Sequence, residues 1–381
     1  MLLVARKNLF SERTRLAISV GGVALSVLLI SLLLSLYRGW DEKVGGFVEH
    51  SGIDVWVGSE GARDFLTSAS ILPVQGSEAL NSIQSIEQWS PLIVRPMWGV
   101  RVTVPRPADW DEDAATKMNI HFVGYDPQSG IGGPIRIVEG KSTPGPREIV
   151  VDEALAKRYG LDVGDMVSAA GRDWTVVGKS SGGDFVASQT VFVSLEQARE
   201  VLQMEGLTTF YVLRLKDDVD AGQFADEIER LQPGVVAFTG KEFAANTRDR
   251  ILGEVLPLLE VVLLLAFIVG LTVAGLTIYT ATVEKAREYG ILKAVGFTNG
   301  YLYRLVFEQS LVTGLLGFTL GVGLTALIAP FARDLVPQFV VLIRWQDVLA
   351  VAGMTLLMVV IAAYVPVRRL AAIDPVTVFK A

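Results

Sequence analysis

The sequence predicts an α-helical membrane protein with four transmembrane helices and a large extracytoplasmic α+β domain. Three observations carry that reading. Of the 381 residues 51% are hydrophobic, and they concentrate in four runs instead of spreading evenly. Lys and Arg collect beside those runs on what becomes one side if each run crosses a membrane once. Between the first and second runs lies a segment of roughly 210 residues with alternating strand and helix patterns, large enough for packed cores of its own.

The runs are Leu16 to Leu36, Val255 to Ala281, Leu305 to Ile328 and Val348 to Val367. A bilayer core of about 30 Å takes about 20 apolar residues in a helix, and each run is close to that length and almost free of charge. Arg6, Lys7, Arg13 and Arg15 precede the first run, as they would in a secretory signal. Signal cores, however, span only about 7–15 residues and end at a small-residue cleavage site. This run is longer and leaves through Tyr37-Arg38-Gly39-Trp40, so an uncleaved anchor is expected. Positive charge near short loops stays cytoplasmic. Arg6 to Arg15, then Lys285, Arg287, Lys293 and Arg304, then Arg368, Arg369 and Lys380 share one side, which places both termini inside and residues from about 40 to 250 outside.

The external segment reads as two subdomains. Ile53 to Val57 is strand-like, Ser77 to Gln88 is an amphipathic helix candidate, and Gly99 to Val104 is a second strand; Pro105 to Asp113 is a loop. From Ile120 short strands follow one another between Gly and Pro turns: His121 to Gly124, Ile135 to Val138, Glu148 to Val151, Met166 to Ser168 and Trp174 to Val177. One short helix, Glu153 to Tyr159, interrupts them, with Gly160 as its cap. Strand Thr190 to Ser194, helix Leu195 to Met204, strand Phe210 to Leu215, helix Ala221 to Leu231 and strand Val235 to Phe238 restore the α+β pattern. A small β-rich subdomain, about 120–188, is thus expected as an insert in the α+β one. Gly240 to Leu256 has no break before Pro257 and is expected to run into the second span as one helix.

The expected order is a cytoplasmic amphipathic helix (1–15), the first transmembrane helix (16–39), the external domain (40–250), the second transmembrane helix (251–282) and a cytoplasmic segment (283–304). The third transmembrane helix (305–329), a short external loop (330–346), the fourth transmembrane helix (347–367) and a cytoplasmic tail (368–381) complete it.

Between the second and third runs, Glu284, Lys285, Arg287 and Glu288 form an ion-pair-rich first turn, Ile291, Leu292, Ala294 and Val295 add apolar surface, and Gly290 and Gly296 permit tight turns. That composition suits docking into a groove on a partner; a solvated connector has the same composition. Glu284-x-x-x-Glu288-x-Gly290-Ile-Leu-Lys293-Ala-Val-Gly296, followed by Glu308 and a Gly-rich third run, resembles the FtsX-like permease domain. Ala5 to Leu9 with Arg13 to Leu16 resembles the N-terminal elbow of MacB- and LolC/LolE-type ABC transporter membrane subunits. Pro366 to Pro375 resembles that family's C-terminal tail, and Arg147 to Lys157 with Gly160 to Asp165 resembles its periplasmic module. The resemblance implies a dimeric permease, made with a second copy or a paralogue, in the bacterial inner membrane. Its external domain would be porter-like, and separate cytoplasmic ABC ATPases, which bind ATP and Mg, would grip Glu284, Arg287, Glu288, Gly290, Ile291, Lys293 and Gly296. It also implies export or extraction of an amphipathic substrate, membrane lipids as neighbours and an extracytoplasmic adaptor as a further partner. The alternative of a different class is a signal transmitter that activates an extracytoplasmic cell-wall hydrolase.

Other chemistry is disfavoured. Gly140-Lys141-Ser142 supplies the tail of a phosphate-binding loop, but position 135 is Ile where that loop needs Gly. Gly178-x-Ser180-x-Gly182 matches a nucleophile elbow, yet Gly182-Gly183-Asp184 is no helix start and both histidines, His50 and His121, lie upstream. The sequence has no cysteine, and its two isolated histidines do not make a metal site. A net charge of −7 argues against a nucleic-acid face. Within the spans, Gly314, Gly317 and Gly321 put small residues on one face for close helix packing, inside one chain or between two. Leu33, Tyr37, Leu256, Leu259 and Glu260, near the outer ends of the first two runs, form a candidate substrate or gate region. A charge in lipid costs roughly 2.5–3.5 kcal/mol on insertion scales, so Glu260 and Glu308 should face a cavity, a partner or the interface.

Overall fold

The computed structural model describes residues 13–101, 117–186, 188–335 and 342–371. Most of the expected N-terminal helix, the loop at Pro105 to Asp113 and the end of the C-terminal tail lie outside the described residues. The chain divides into two compact units, one of residues 1–39 with 255–381, the other of residues 40–254.

Four helices are long and apolar enough to cross a membrane. They are α1 (Arg13–His50), α5 (Gly240–Glu284), α7 (Asn299–Leu335) and α8 (Trp345–Ala371), and a short α6 (Ala286–Ala294) joins α5 to α7. The helices outrun the apolar runs. Helix α1 continues to His50 and α7 begins at Asn299, because nothing in the backbone requires a helix to end where lipid does. The division between the units falls inside α1 and inside α5. Pro257 sits within α5 without ending it. At the start of α5, Thr239 and Glu242 cap reciprocally: Glu242 N donates to Thr239 Oγ1 (3.2 Å) and Thr239 N donates to Glu242 Oε2 (3.0 Å).

The external unit is built on β1 (Val55–Ser59), β2 (Leu72–Pro73), β3 (Ile86–Arg101), β4 (Lys117–Tyr125), β5 (Arg136–Gly140), β6 (Glu148–Asp152), β7 (Met166–Ala169), β8 (Arg172–Ser181), β9 (Gln189–Ser194), β10 (Leu207–Thr208), β11 (Phe210–Leu215) and β12 (Val235–Thr239). Helices α2 (Glu153–Tyr159), α3 (Leu195–Leu202) and α4 (Ala221–Leu231) lie between them. The main sheet runs β12-β1-β11-β3-β4-β9-β6-β8-β5, with β7 on β8, while β2 and β10 pair separately. Pairings β4–β9 and β6–β8 are parallel; the rest are antiparallel. Each short helix starts on the cap its sequence offers. Asp152 accepts from Ala154 N (2.9 Å), Ser194 from Gln197 N (3.4 Å) and Asp220 from Gln223 N (2.8 Å). Gly160 ends α2 at φ 63°.

Two expectations are corrected. Ser77 to Gln88 is not a helix: a 3-10 turn covers Ser77–Ser82 and strand β3 starts at Ile86, paired with Leu215. Strand pairing overrides the local amphipathic pattern there. The β-rich insert also has no boundary near residue 188. Strand β9 lies between β4 and β6, and α3 packs with them in a core that includes Phe122, Trp174, Val191, Leu195 and Ala198.

A second core, around Trp56, Phe65, Phe192, Phe210 and Phe243, includes Val44, Phe47 and Val48 of α1. Both long helices thus contribute their external turns to it. Arg248 of α5 donates from Nε to the Asp41 carbonyl (2.9 Å) and pairs with Glu49 of α1.

Candidate functional site

Helix α6 is anchored on one side and open on the other. Tyr289 is buried with Leu302, Leu305 and Val306 of α7, and Leu292 packs against them. Arg287, Glu288, Ile291 and Val295 are exposed; Ile291 is 44% and Val295 74% accessible. Glu284 and Gly296 are also exposed, and Lys293 is half-buried. The helix starts at a break at Lys285, whose backbone (φ −88°, ψ 10°) leaves the helical range. It ends in a Schellman turn, with Phe297 N donating to Leu292 O and Gly296 N to Lys293 O, both 3.0 Å. Gly296 takes φ 101°, which an L side chain resists. Gly290, expected in a turn, instead lies buried inside α6. The helix therefore holds a charged and apolar stripe on a rigid support. A solvated connector needs no such anchoring.

In the candidate gate region, Leu33 and Tyr37 of α1 and Leu256 and Leu259 of α5 are half-buried, and Glu260 is exposed. Among the described residues no hydrogen bond or ion pair joins these five side chains into one site. A neighbouring charge does make a contact that composition does not reveal: Arg38 Nε meets Asp347 Oδ1 of α8 at 3.1 Å. The glycine face packs within this chain. A Cβ on Gly317 would come within 2.6 Å of Val23 Cγ1, one on Gly321 within 2.7 Å of Ala24 O, and one on Gly314 within 2.5 Å of Val359 Cγ2. Glu308 pairs with Arg304 at 3.0 Å, one turn away.

In the external unit, sequence reasoning missed a buried polar cluster. His121 is 1% exposed; its Nδ1 meets Ser188 Oγ at 2.7 Å and its Nε2 the Leu66 carbonyl at 3.3 Å. Burial lowers its pKa to about 4, against opposing contributions from Leu66 and Asp64, so it is neutral. Asp152, also 1% exposed, accepts from Gly183 N (3.0 Å) as well as Ala154 N. Burial pushes its carboxyl up to about 7, with the Ala154 and Gly183 amides and Lys43 acting against the rise and Asp184 adding to it. Lys43 of α1 pairs with Asp184. Phe185, in the same turn, packs on Phe47 and on His121, with ring centroids 6.0 and 5.2 Å apart. Ser180, the middle of the elbow-like motif, is buried in β8, and no hydrogen bond joins it to either histidine among the described residues. The described residues also contain no group of three or more His, Cys, Asp or Glu placed to hold a metal.

Four membrane-length helices and a large α+β domain define a multi-pass membrane protein. Family patterns agree: residues 16–231 match the MacB-like periplasmic core domain and residues 260–375 the FtsX-like permease C-terminal domain. The chain belongs to the MacB/FtsX type of ABC transporter permease. An uncharacterized ABC transporter permease of Mycobacterium bovis is 24% identical over 100% of this chain and 99% of its own. Another, of Mycobacterium tuberculosis, is 27% identical over 53% of this chain, which spans 25% of that relative. A protein of Pseudomonas syringae pv. tomato named as a probable syringafactin export ATP-binding/permease protein is 23% identical over 97% of this chain and 57% of its own. Among solved structures, the periplasmic region of MacB from Actinobacillus actinomycetemcomitans aligns with 50% of this chain and 91% of its own at a TM-score of 0.36 and 14% identity.

Proposed function

We propose that this permease couples ATP hydrolysis in a cytoplasmic ABC ATPase to motion of its external domain, and thereby exports or extracts an amphipathic molecule such as a lipid, lipoprotein or drug. The observation that carries this reading is the exposed Arg287, Glu288, Ile291 and Val295 stripe on an α6 anchored through Tyr289. ATP and Mg are held by the ATPase, which docks on that stripe from the cytoplasm of a bacterial cell; both termini of this chain lie on the same side, and a second copy or a paralogue completes the assembly. Helices α1 and α5 carry the displacement, because each continues without a break into residues of the external core. That the name of the Pseudomonas relative joins ATP-binding to permease supports the pairing.

The test reconstitutes the full chain with its ATPase in lipid nanodiscs. Glu288→Lys and Ile291→Asp should each lower permease-stimulated ATPase activity by about tenfold, the loss expected when a central interface contact is removed. Unchanged stimulation in both variants would overturn the docking assignment. Mass spectrometry of copurified material then separates export, marked by bound lipid, lipoprotein or drug, from activation of a cell-wall hydrolase, marked by a bound hydrolase.

A further inference from the structure

The membrane bundle contains a small cavity with a few polar residues in a mostly apolar lining. It has a volume of about 20 Å³ and is lined by Ser31 and Ser35 of α1, Thr325 of α7 and Asp347 of α8, together with apolar neighbours that include Leu34 and Val351. Two of its lining residues each carry a buried oxygen without a hydrogen-bond partner among the described residues. Asp347 is 5% exposed; its Oδ1 is taken by Arg38, whereas its Oδ2 has no hydrogen-bond partner among the described residues. Ser31, 9% exposed, likewise has a buried Oγ with no partner. This sets Ser31 apart from the hydroxyls of Thr277, Thr282, Ser310, Thr325 and Thr355, which donate to the carbonyl four residues back at 2.7–2.9 Å. Buried carboxylate and hydroxyl oxygens without partners are costly in an apolar surround, and intramembrane charges mark functional positions.

We propose that this cavity binds one ordered water, which donates to Asp347 Oδ2 and accepts from the Ser31 hydroxyl. Size and charge select the occupant. One water needs about 10–15 Å³ and at least two polar partners, and the cavity offers both while being too small for a lipid headgroup. The Arg38 and Asp347 charges already cancel, so a monovalent cation would leave a net positive charge in a low-dielectric site, whereas water adds none. The water joins α1 to α8 beside the Arg38–Asp347 ion pair and the bond from Leu342 N to Ser35 O (3.2 Å), making a hydrated polar link in a bundle otherwise packed through small and larger apolar residues.

Hydroxyl-radical footprinting of the full chain in nanodiscs tests this, because radicals generated from a trapped water modify the side chains around it. Leu34 and Val351 should be modified several-fold faster than the lipid-facing Leu264 and Leu315. Ser31→Val should bring them down to that background, and Ser31→Thr, which keeps the hydroxyl, should preserve the labelling and serve as the folding control. Wild-type labelling at the lipid-facing background overturns the proposal whatever the variants do. So does wild-type labelling that changes when sodium is exchanged for choline, since that identifies a cation as the occupant.

Discussion

In the external domain Trp56, Phe65, Phe122, Trp174 and Phe192 are almost fully buried, whereas in the membrane bundle Leu264, Leu315, Leu327 and Leu349 are each about 60% exposed and the helices meet at Gly314, Gly317 and Gly321. The same physical chemistry produces both patterns. Water drives large apolar side chains inward, so the external core is rich in aromatic residues packed against the sheet. Lipid is as apolar as leucine and drives nothing inward, so contacts within the bundle depend on shape, small residues and the few polar groups that must find one another. The external domain is therefore sensitive to lost volume and the bundle to added volume.

The largest expected effect is at Trp56. Truncation to alanine in this fully buried position should cost about 3–5 kcal/mol and unfold much of the external domain while the four spans stay inserted. Limited proteolysis of the protein in nanodiscs checks this; an unchanged cleavage pattern would contradict the assigned core. In the bundle the order reverses: Gly317→Leu should destabilise by about 1–3 kcal/mol through overpacking against Val23, while Leu315→Ala on the lipid face stays within about 0.5 kcal/mol. Denaturation in mixed micelles measures both, and equal costs would remove the distinction between the two faces of α7.

A smaller effect belongs to the buried titrating pair of the external domain. The Asp152 carboxyl, raised from 3.8 to about 7 by burial, binds a proton in the folded state that the unfolded chain has released, so its contribution to stability is present below about pH 4 and is lost as pH rises through about 7. Neutral His121, lowered from 6.5 to about 4, acts in the opposite sense: its contribution is present above about pH 6.5 and is lost as pH falls through about 4. The two slopes partly offset. Asp152→Asn should leave stability rising with pH between about 4 and 6.5, and His121→Gln should leave it falling between about 4 and 7. Thermal unfolding followed by tryptophan fluorescence reads the slopes, and slopes of the same sign in both variants would refute the assignment.

Much of the fold was legible because its signals are local. The four runs announce spans by length, Asp152 and Gly160 bracket α2, and the absence of a break before Pro257 indicates that α5 continues from the external domain into the second span. The candidate site was legible in composition but not in orientation. Only the packing of Tyr289 and Leu292 on α7 decides that Arg287, Glu288 and Ile291 face outward and that Gly290 does not. His121, 67 positions from Ser188, and Arg38, 309 positions from Asp347, could not be paired from spacing, because neither partner lies within a helical turn or a hairpin of the other.

By itself the sequence determined that this chain crosses a membrane four times, carries a large external domain and presents a charged helix between its second and third spans, since hydropathy, charge placement and caps act over a few residues and need no partner. The tertiary structure alone decided that the β-rich insert and the α+β domain share one sheet, that the external core recruits α1 and α5, that Arg38 pairs with Asp347, and that Asp347 and Ser31 line one cavity. These depend on which distant segments pack together, and packing is settled by shape and by the cost of leaving buried polar atoms unpaired.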